Sequence, residues 1–395
     1  VTGRITGRIF GAAVLVWAAG AGAAHAQTPR TPSDAISFLV TNQSVSTGDF
    51  QKDQAAAAAT RDTIARALLV NLATVPIQSS SSGFLYRLDP ELGTMERASQ
   101  SFGTFLVERA ATSGRGRSSF GVATSTTGFD RLDGHPLRDG SLVTTANQFR
   151  DEKAPFDVES LTLNIRTSTL TLFGTYGITD RLEIAGAVPF VRLHLEGRRV
   201  NVYRGAQFVQ ATAVADASGL ADVAVRGKFT ALRAPAGSVA VAAELRLPTG
   251  DDAALLGAGR TGFRMLALGS FERGAVGLHG NAGIAAGGAS GELDAAGALT
   301  LAVTPKVSAI GEVFTRRLSD LKRVEPVSVP HPLLAGIDTL RLVPGTSTTV
   351  VSTAVSGIKW NVRSTLVVGA QVLWRLGSGG LTARATPAVS IDYLF

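Results

Sequence analysis

From residue 83 to the C-terminus, apolar and polar residues alternate one by one. Leu161, Leu163 and Ile165 alternate with Thr162, Asn164 and Arg166. Val223, Val225 and Phe229 alternate with Asp222, Arg226 and Lys228, and Val239, Val241, Leu245 and Leu247 with Glu244 and Arg246. Val389, Ile391, Tyr393 and Phe395 alternate with Ser390 and Asp392. Successive side chains of a strand point to opposite faces, so each strand presents one apolar and one polar face. Before this region the period is different. Ile64, Leu68, Leu72 and Val75 recur at helical spacing behind the Ala55–Ala59 run, which predicts a helix over about 54–75, ended by Pro76. Ser79–Ser82 reads as a connector.

Turn signals set the topology. Short connectors at Gly177–Arg181, Ala234–Ser238, Glu272–Ala275, Thr304–Lys306 and Asn361–Ser364 alternate with longer polar segments at 127–157, 197–218, 249–260, 318–345 and 377–382. Tight turns at one end and long loops at the other are the asymmetry of a transmembrane antiparallel β-barrel. Strands are predicted at 83–88, 101–111, 116–126, 158–177, 181–196, 219–233, 237–249, 261–272, 275–287, 292–303, 306–317, 346–360, 364–376 and 383–395. The fold class is therefore all-β, a barrel of about 14 strands, with 12 to 16 compatible with the turns, preceded by a short helical segment. Two strands change phase. Apolar positions move from odd to even in 158–177 and from even to odd in 181–196 across Pro189, which predicts a β-bulge in each.

Composition changes the picture in one respect. Charged residues make up 17% of the chain against 45% hydrophobic, with 44 glycines, no cysteine and a net charge of +7. That is little charge for a soluble domain. The mean hydropathy is +0.20, yet after the first thirty residues no apolar run is long enough for a membrane helix. A barrel wall, apolar outside and polar inside, reconciles the two. Without cysteine there is no disulfide, thiolate metal site or cysteine nucleophile. The arginines are dispersed, so nucleic acid is not an expected partner. Residues 1–26 read as a signal peptide: Arg4 and Arg8, the apolar stretch Ile9–Ala19, and Ala24-His25-Ala26 before Gln27. Residues 27–82 are then a periplasmic or plug segment, and 83–395 the barrel. Phe173, Tyr176, Phe229, Phe271, Trp360, Tyr393 and Phe395 all precede short turns or the C-terminus and predict an aromatic girdle at one interface.

Several stretches resemble a known family. They are Tyr86-Arg-Leu-Asp-Pro-Glu-Leu-Gly93, Phe105-Leu-Val-Glu-Arg-Ala110 with Gly114-Arg-Gly116, and Tyr176-Gly-Ile-Thr-Asp-Arg-Leu-Glu183 with Val188-Pro-Phe190. Gly219-Leu-Ala-Asp-Val223 and Leu247-Pro-Thr-Gly-Asp251 with Leu256-Gly-Ala-Gly259 follow. Together, over about residues 83–395, they resemble outer-membrane proteins labelled as transporters of the meta-pathway of phenol degradation. The resemblance implies a barrel in the bacterial outer membrane and, by that label, transport of aromatic or other hydrophobic compounds. The terminal Tyr393-Leu-Phe395 resembles the aromatic signal read by the barrel insertion machinery, which makes that machinery and outer-membrane lipid expected partners.

Candidate chemistry is sparse. The histidines have no metal-ligand spacing, and Asp251-Asp252 lacks the further spaced ligands of a calcium loop. No catalytic, metal or cofactor residue is assigned. The polar strand phase is the functional candidate: Glu183, Arg192, Arg226, Lys228, Glu244, Arg246, Arg264, Glu312 and Arg316, with Glu196 and Arg375, are predicted to point into the lumen. There they either select a small-molecule permeant by charge or fill and brace the barrel. Cross-strand ion pairs between Arg226/Lys228 and Glu244/Arg246 are expected. The primary expectation is a channel or transporter for small, hydrophobic or aromatic molecules. The alternatives are a lipid-hydrolase barrel using His194 and a structural or adhesive barrel working through its outer loops.

Overall fold

The computed structural model describes residues 31–41, 44–73, 86–88, 95–97 and 100–395. The expected signal peptide at 1–26, Val75 and Pro76 of the predicted helix end, and the expected connector at 79–82 lie outside the described residues. Twelve strands close into an antiparallel barrel. They are β1 (Ser118–Phe129), β2 (Asp157–Gly177), β3 (Leu182–Tyr203), β4 (Val223–Arg233), β5 (Gly237–Leu247) and β6 (Gly262–Arg273), followed by β7 (Val276–Gly287), β8 (Glu292–Thr304), β9 (Val307–Pro330), β10 (Ile337–Arg363), β11 (Leu366–Arg375) and β12 (Ala385–Leu394). Each pairs with the next, and β12 pairs with β1 to complete the ring. No wall strand among these is left with a free edge, as crossing lipid requires.

The two additional wall strands expected upstream are not in the ring. Tyr86–Leu88 pairs only with Met95–Arg97 in a separate ribbon, and 101–111 is not a strand. Two of the expected long loops are β-hairpin extensions instead. β3 runs on to Tyr203, turns at Arg204-Gly205, both with positive φ, and returns as the strand Ala206–Leu220. β9 and β10 extend in the same way to Pro330 and Ile337. A further strand, Leu142–Phe149, bridges β2 and β10 above the ends of the shorter strands.

The predicted bulges are absent from β2 and from its pairing with β3. That pairing is continuous from Asp157↔Tyr203 to Gly177↔Glu183. Odd residues of β2 face inward along its whole length. What changes is the medium on each side. Near the long-loop end the interior is apolar and the exterior aqueous, so Leu161, Leu163 and Ile165 face in and Arg166 faces out. Lower down the exterior is apolar, and Leu170 faces out. Pro189 sits where the neighbour of β3 changes from β4 to the Ala206–Leu220 strand. Its missing N–H therefore falls at a break between partners.

Two helices fill the long-loop half of the interior. α1 (Pro32–Val40) is capped by Thr31, whose side chain accepts from the Asp34 N–H, and has Pro32 in its first turn. α2 is Phe50–Ala73. Ile36, Leu39, Ile64 and Leu68 are fully buried against Leu161, Leu163, Leu193 and Leu195 of the wall. α1 lies so close to β3 that a Cβ on Gly197 would sit 2.2 Å from Leu39. α2 is tied to the wall by Thr60 to the Leu342 carbonyl, Asn71 to the Leu381 carbonyl, and an Arg341–Asp53 ion pair at 2.7 Å.

The outer surface is apolar around the ring. Val225 and Val241, both 47% exposed, project outward with Leu278, Leu299, Ile358 and Ile391. Soluble monomers do not expose a continuous apolar belt of this extent. At the short-turn end Tyr176, Phe229, Phe271, Trp360, Tyr393 and Phe395 are exposed. Phe173 departs from that group: it is buried inside, its ring against Gly121, where a Cβ would approach to 2.3 Å.

Candidate functional site

The lower half of the lumen is crossed by residues 101–113. Among the described residues this segment pairs with no strand, and it is held almost wholly by wall side chains acting on its backbone. Ser101 Oγ lies 2.9 Å from Thr300 Oγ1, and the Phe102 N–H donates to Ser308 Oγ. Three consecutive N–H groups, of Phe105, Leu106 and Val107, converge on the Glu312 carboxylate. Lys359 Nζ donates to the Thr104 carbonyl at 2.8 Å and stands 5.0 Å from the Phe105 ring centroid. The ring packs on Ile310 and Val355 in a recess made by Gly357 and Gly369, where a Cβ would reach it at 2.6 and 3.0 Å. On the opposite side, Thr230 donates to the Ala110 carbonyl and Lys228 to those of Arg109 and Ala111. Ser113 donates through its N–H and hydroxyl to Glu183. The segment thus runs from β8–β10 across to β3–β4.

Its own charges are both buried. Glu108 Oε2 is 2.7 Å from Arg226 and Oε1 is 2.8 Å from Lys228. Arg109 pairs with Glu272 at 3.0 Å. Around Glu108 the wall builds a network of ion pairs, in two sets that adjoin where Glu244 and Arg264 are cross-strand partners. Glu183 pairs with Lys228 at 3.0 Å, and Glu244 with Arg226 at 2.6 Å and Arg246 at 2.9 Å. Arg264 pairs with Glu292 and Asp294 at 2.5 and 2.9 Å, and Arg316 also pairs with Glu292. These pairs follow from register, because Arg226↔Glu244 and Lys228↔Glu183 are direct cross-strand partners. Burying a charge is costly unless it is paired, so the network holds together only as a set.

Of the sequence-predicted site residues, Glu183, Arg226, Lys228, Glu244, Arg246, Arg264 and Arg316 gather in this one network, and Glu312 holds the segment from across the lumen. Arg192 does not face the lumen. It is exposed on the outward phase of β3, between Ser168 and Ser218 on the flanking strands, and Glu196 is exposed on the same phase. The reason is the exchange of media described above: opposite the apolar helices, the polar phase is the outer one. Sequence reasoning missed Glu108, Arg109, Glu292, Asp294 and Lys359. Adjacent Glu108 and Arg109 did carry a signal, because a strand would have sent one of them into lipid.

The histidines take no part in the network. His194 is on the outer surface, its Nδ1 2.7 Å from Asp216. Among the described residues no serine hydroxyl bonds to it. His279 Nδ1 is 2.9 Å from Ser270 Oγ, and that oxygen also accepts the Ala110 N–H. Among the described residues no group of acids and histidines has metal-site geometry.

Leu106, Val107 and Glu108 of the crossing segment line a cavity of about 80 Å³, and two further spaces of about 120 and 60 Å³ lie beside the end of α2. The lumen is plugged twice, by the helices above and by residues 101–113 below. A closed antiparallel barrel with an apolar belt is the architecture of the bacterial outer membrane, and the chain is placed there. No helix among the described residues is long and apolar enough to cross a membrane; the strands cross.

No protein-family model matches the chain, and no curated protein matches it. Among solved structures it is similar to an outer membrane channel from Pseudomonas putida F1, at 15% identity and a TM-score of 0.45, covering 71% of this chain and 96% of that one. It is also similar to the NanC porin, at 6% identity and a TM-score of 0.37 over 69% and 98% of the two chains. A third is OmpF of Salmonella typhi in complex with daunomycin, at 8% and 0.29 over 71% and 98%. These are likenesses of barrel architecture.

Proposed function

We propose that the chain is an outer-membrane channel for small organic molecules whose lower plug, residues 101–113, moves to open the path. One observation carries this reading. The segment is attached by side chains to its backbone and by ion pairs, not by strand pairing, so it can leave without breaking the barrel. The wall keeps its ring of backbone hydrogen bonds in either state. Hydrophobic and aromatic permeants are the class implied by the sequence resemblance. Phe395, exposed beside the β1–β12 seam, with its N–H on the Ser118 carbonyl, is the residue proposed to address the insertion machinery.

Liposome swelling with the purified chain tests the reading. Benzoate and its ring-substituted analogues should enter faster through wild type than through protein-free lipid. They should enter faster still through the Glu108→Gln/Glu312→Gln variant, which loosens both ends of the plug. A folded barrel with no flux in either form would sink the proposal.

A further inference from the structure

The grip on Glu108 has a consequence for what the channel recognises. A carboxylate is already bound in the lumen: Glu108 is chelated by a guanidinium and an ammonium, 2.7 and 2.8 Å from its two oxygens. All three side chains are at least nine-tenths buried. The carboxylate comes from the removable segment and the cations from the fixed wall. In the surrounding network, five wall cations, Arg226, Lys228, Arg246, Arg264 and Arg316, face four wall acids, Glu183, Glu244, Glu292 and Asp294. Glu108 is the fifth acid of this set, and it is shared by Arg226 and Lys228, so the two clamp cations are fully paired only while a carboxylate is seated between them.

Next to Glu108 lies a cavity of about 80 Å³ lined by Arg226, Arg246, Arg264 and Arg316, room for two or three water molecules' worth of volume. The Nε of Arg316, whose side chain is 8% exposed, has no hydrogen-bond partner among the described residues. A spare buried donor beside a cationic clamp calls for a further acceptor.

We propose that the Arg226–Lys228 clamp is the channel's binding site for a small organic carboxylate, and that Glu108 holds the site as an internal stand-in that the permeant displaces. This deepens the channel reading and rests on it. The permeant class narrows to a small organic acid, its carboxylate suited to the clamp. The exchange keeps the two clamp cations paired, and it couples substrate binding to plug release. Uncharged molecules of the same shape have nothing to offer the clamp.

The experiment uses the full chain in planar bilayers, with benzoate as the probe and benzamide as its uncharged analogue. Benzoate should raise the frequency of wild-type openings about tenfold, a modest differential affinity, while benzamide does not. Lys228→Gln should abolish the response. Glu108→Gln leaves the wall intact, and should open without benzoate and shift the reversal potential in a salt gradient towards anions. Heat-modifiable gel migration shows which variants are folded. If Lys228→Gln fails to fold, the benzoate–benzamide contrast and the Glu108→Gln selectivity still decide. Equal responses to both probes, or openings indifferent to both, would overturn the carboxylate site while leaving a channel. Silence from every folded form, Glu108→Gln included, would overturn the channel reading itself.

Discussion

Glu312→Gln isolates the part of the plug's attachment that has nothing to do with permeant charge. The Glu312 carboxylate is buried, and accepts the N–H groups of Phe105, Leu106 at 2.9 Å and Val107 at 3.1 Å. A hydrogen bond to an ionised group contributes about 1.5–3 kcal/mol. Glutamine has the same shape but a single acceptor oxygen, no charge, and an NH₂ that meets a donor. One N–H loses its partner and the others lose charge assistance, for a total of about 2–4 kcal/mol. The loss falls on the plugged state alone, because the released state has no such bonds. At about 1.4 kcal/mol per factor of ten, the released population rises roughly 30- to 1,000-fold. Single-channel recording reads this as opening frequency at fixed voltage. Glu312→Asp, which keeps the charge but shortens the reach, should fall between. A folded Glu312→Gln barrel with the wild-type opening record would show that residues 101–113 do not control the path.

Three further outcomes are expected. The chain has no cysteine, so Ser101→Cys/Thr300→Cys, at positions whose hydroxyls stand 2.9 Å apart, should lock the plug on oxidation. Flux should then fall and return with dithiothreitol, and flux indifferent to redox state would count against plug movement. Gly121→Ala would push a Cβ to 2.3 Å from the Phe173 ring and 2.9 Å from the Ile391 carbonyl. It should cost about 1–3 kcal/mol and lower the heat-modification midpoint at the β12–β1 seam; an unchanged midpoint would contradict the packing of Phe173. Asp133, in the outer cap, accepts the N–H groups of Val324 and Gly380 at 2.8 and 2.7 Å, and burial pushes its carboxyl above the usual range despite them. A raised carboxyl stabilises the fold below its unfolded value of about 3.9, and that contribution is lost as pH rises through the folded value. Asp133→Asn should therefore gain on wild type in midpoint as pH rises above about 4. A gap that stays constant, or moves the other way, would exclude this titration.

Much of the wall was legible because the lipid–lumen division writes itself into alternate residues. From 116 onwards, every predicted strand corresponds to one of the twelve in the ring, its ends within a few residues except where β3, β9 and β10 run on into the hairpins that replace expected loops. The upstream prediction failed where local pattern has no competitor. Residues 101–111 are apolar enough for a strand, but a barrel of fixed circumference had no place for them, and their buried polar backbone found side-chain partners in the lumen. The phase changes in β2 and β3 were misread for a related reason. Alternation reveals that two faces differ, but not which medium each meets at a given height. Arg192 is the cost of that ambiguity: it shares a strand with Glu183, yet faces outer water because α1 and α2 make the interior apolar at its level.

The sequence alone determined the class of fold, its membrane-facing belt, the order of short and long connections, and which wall residues are charged, because these depend only on period and composition. Only the tertiary structure decided the strand number and that the lumen is doubly plugged. It alone brought Glu108 to Arg226 and Lys228, 118 and 120 residues apart along the chain. Such contacts depend on ring closure, which no local pattern encodes.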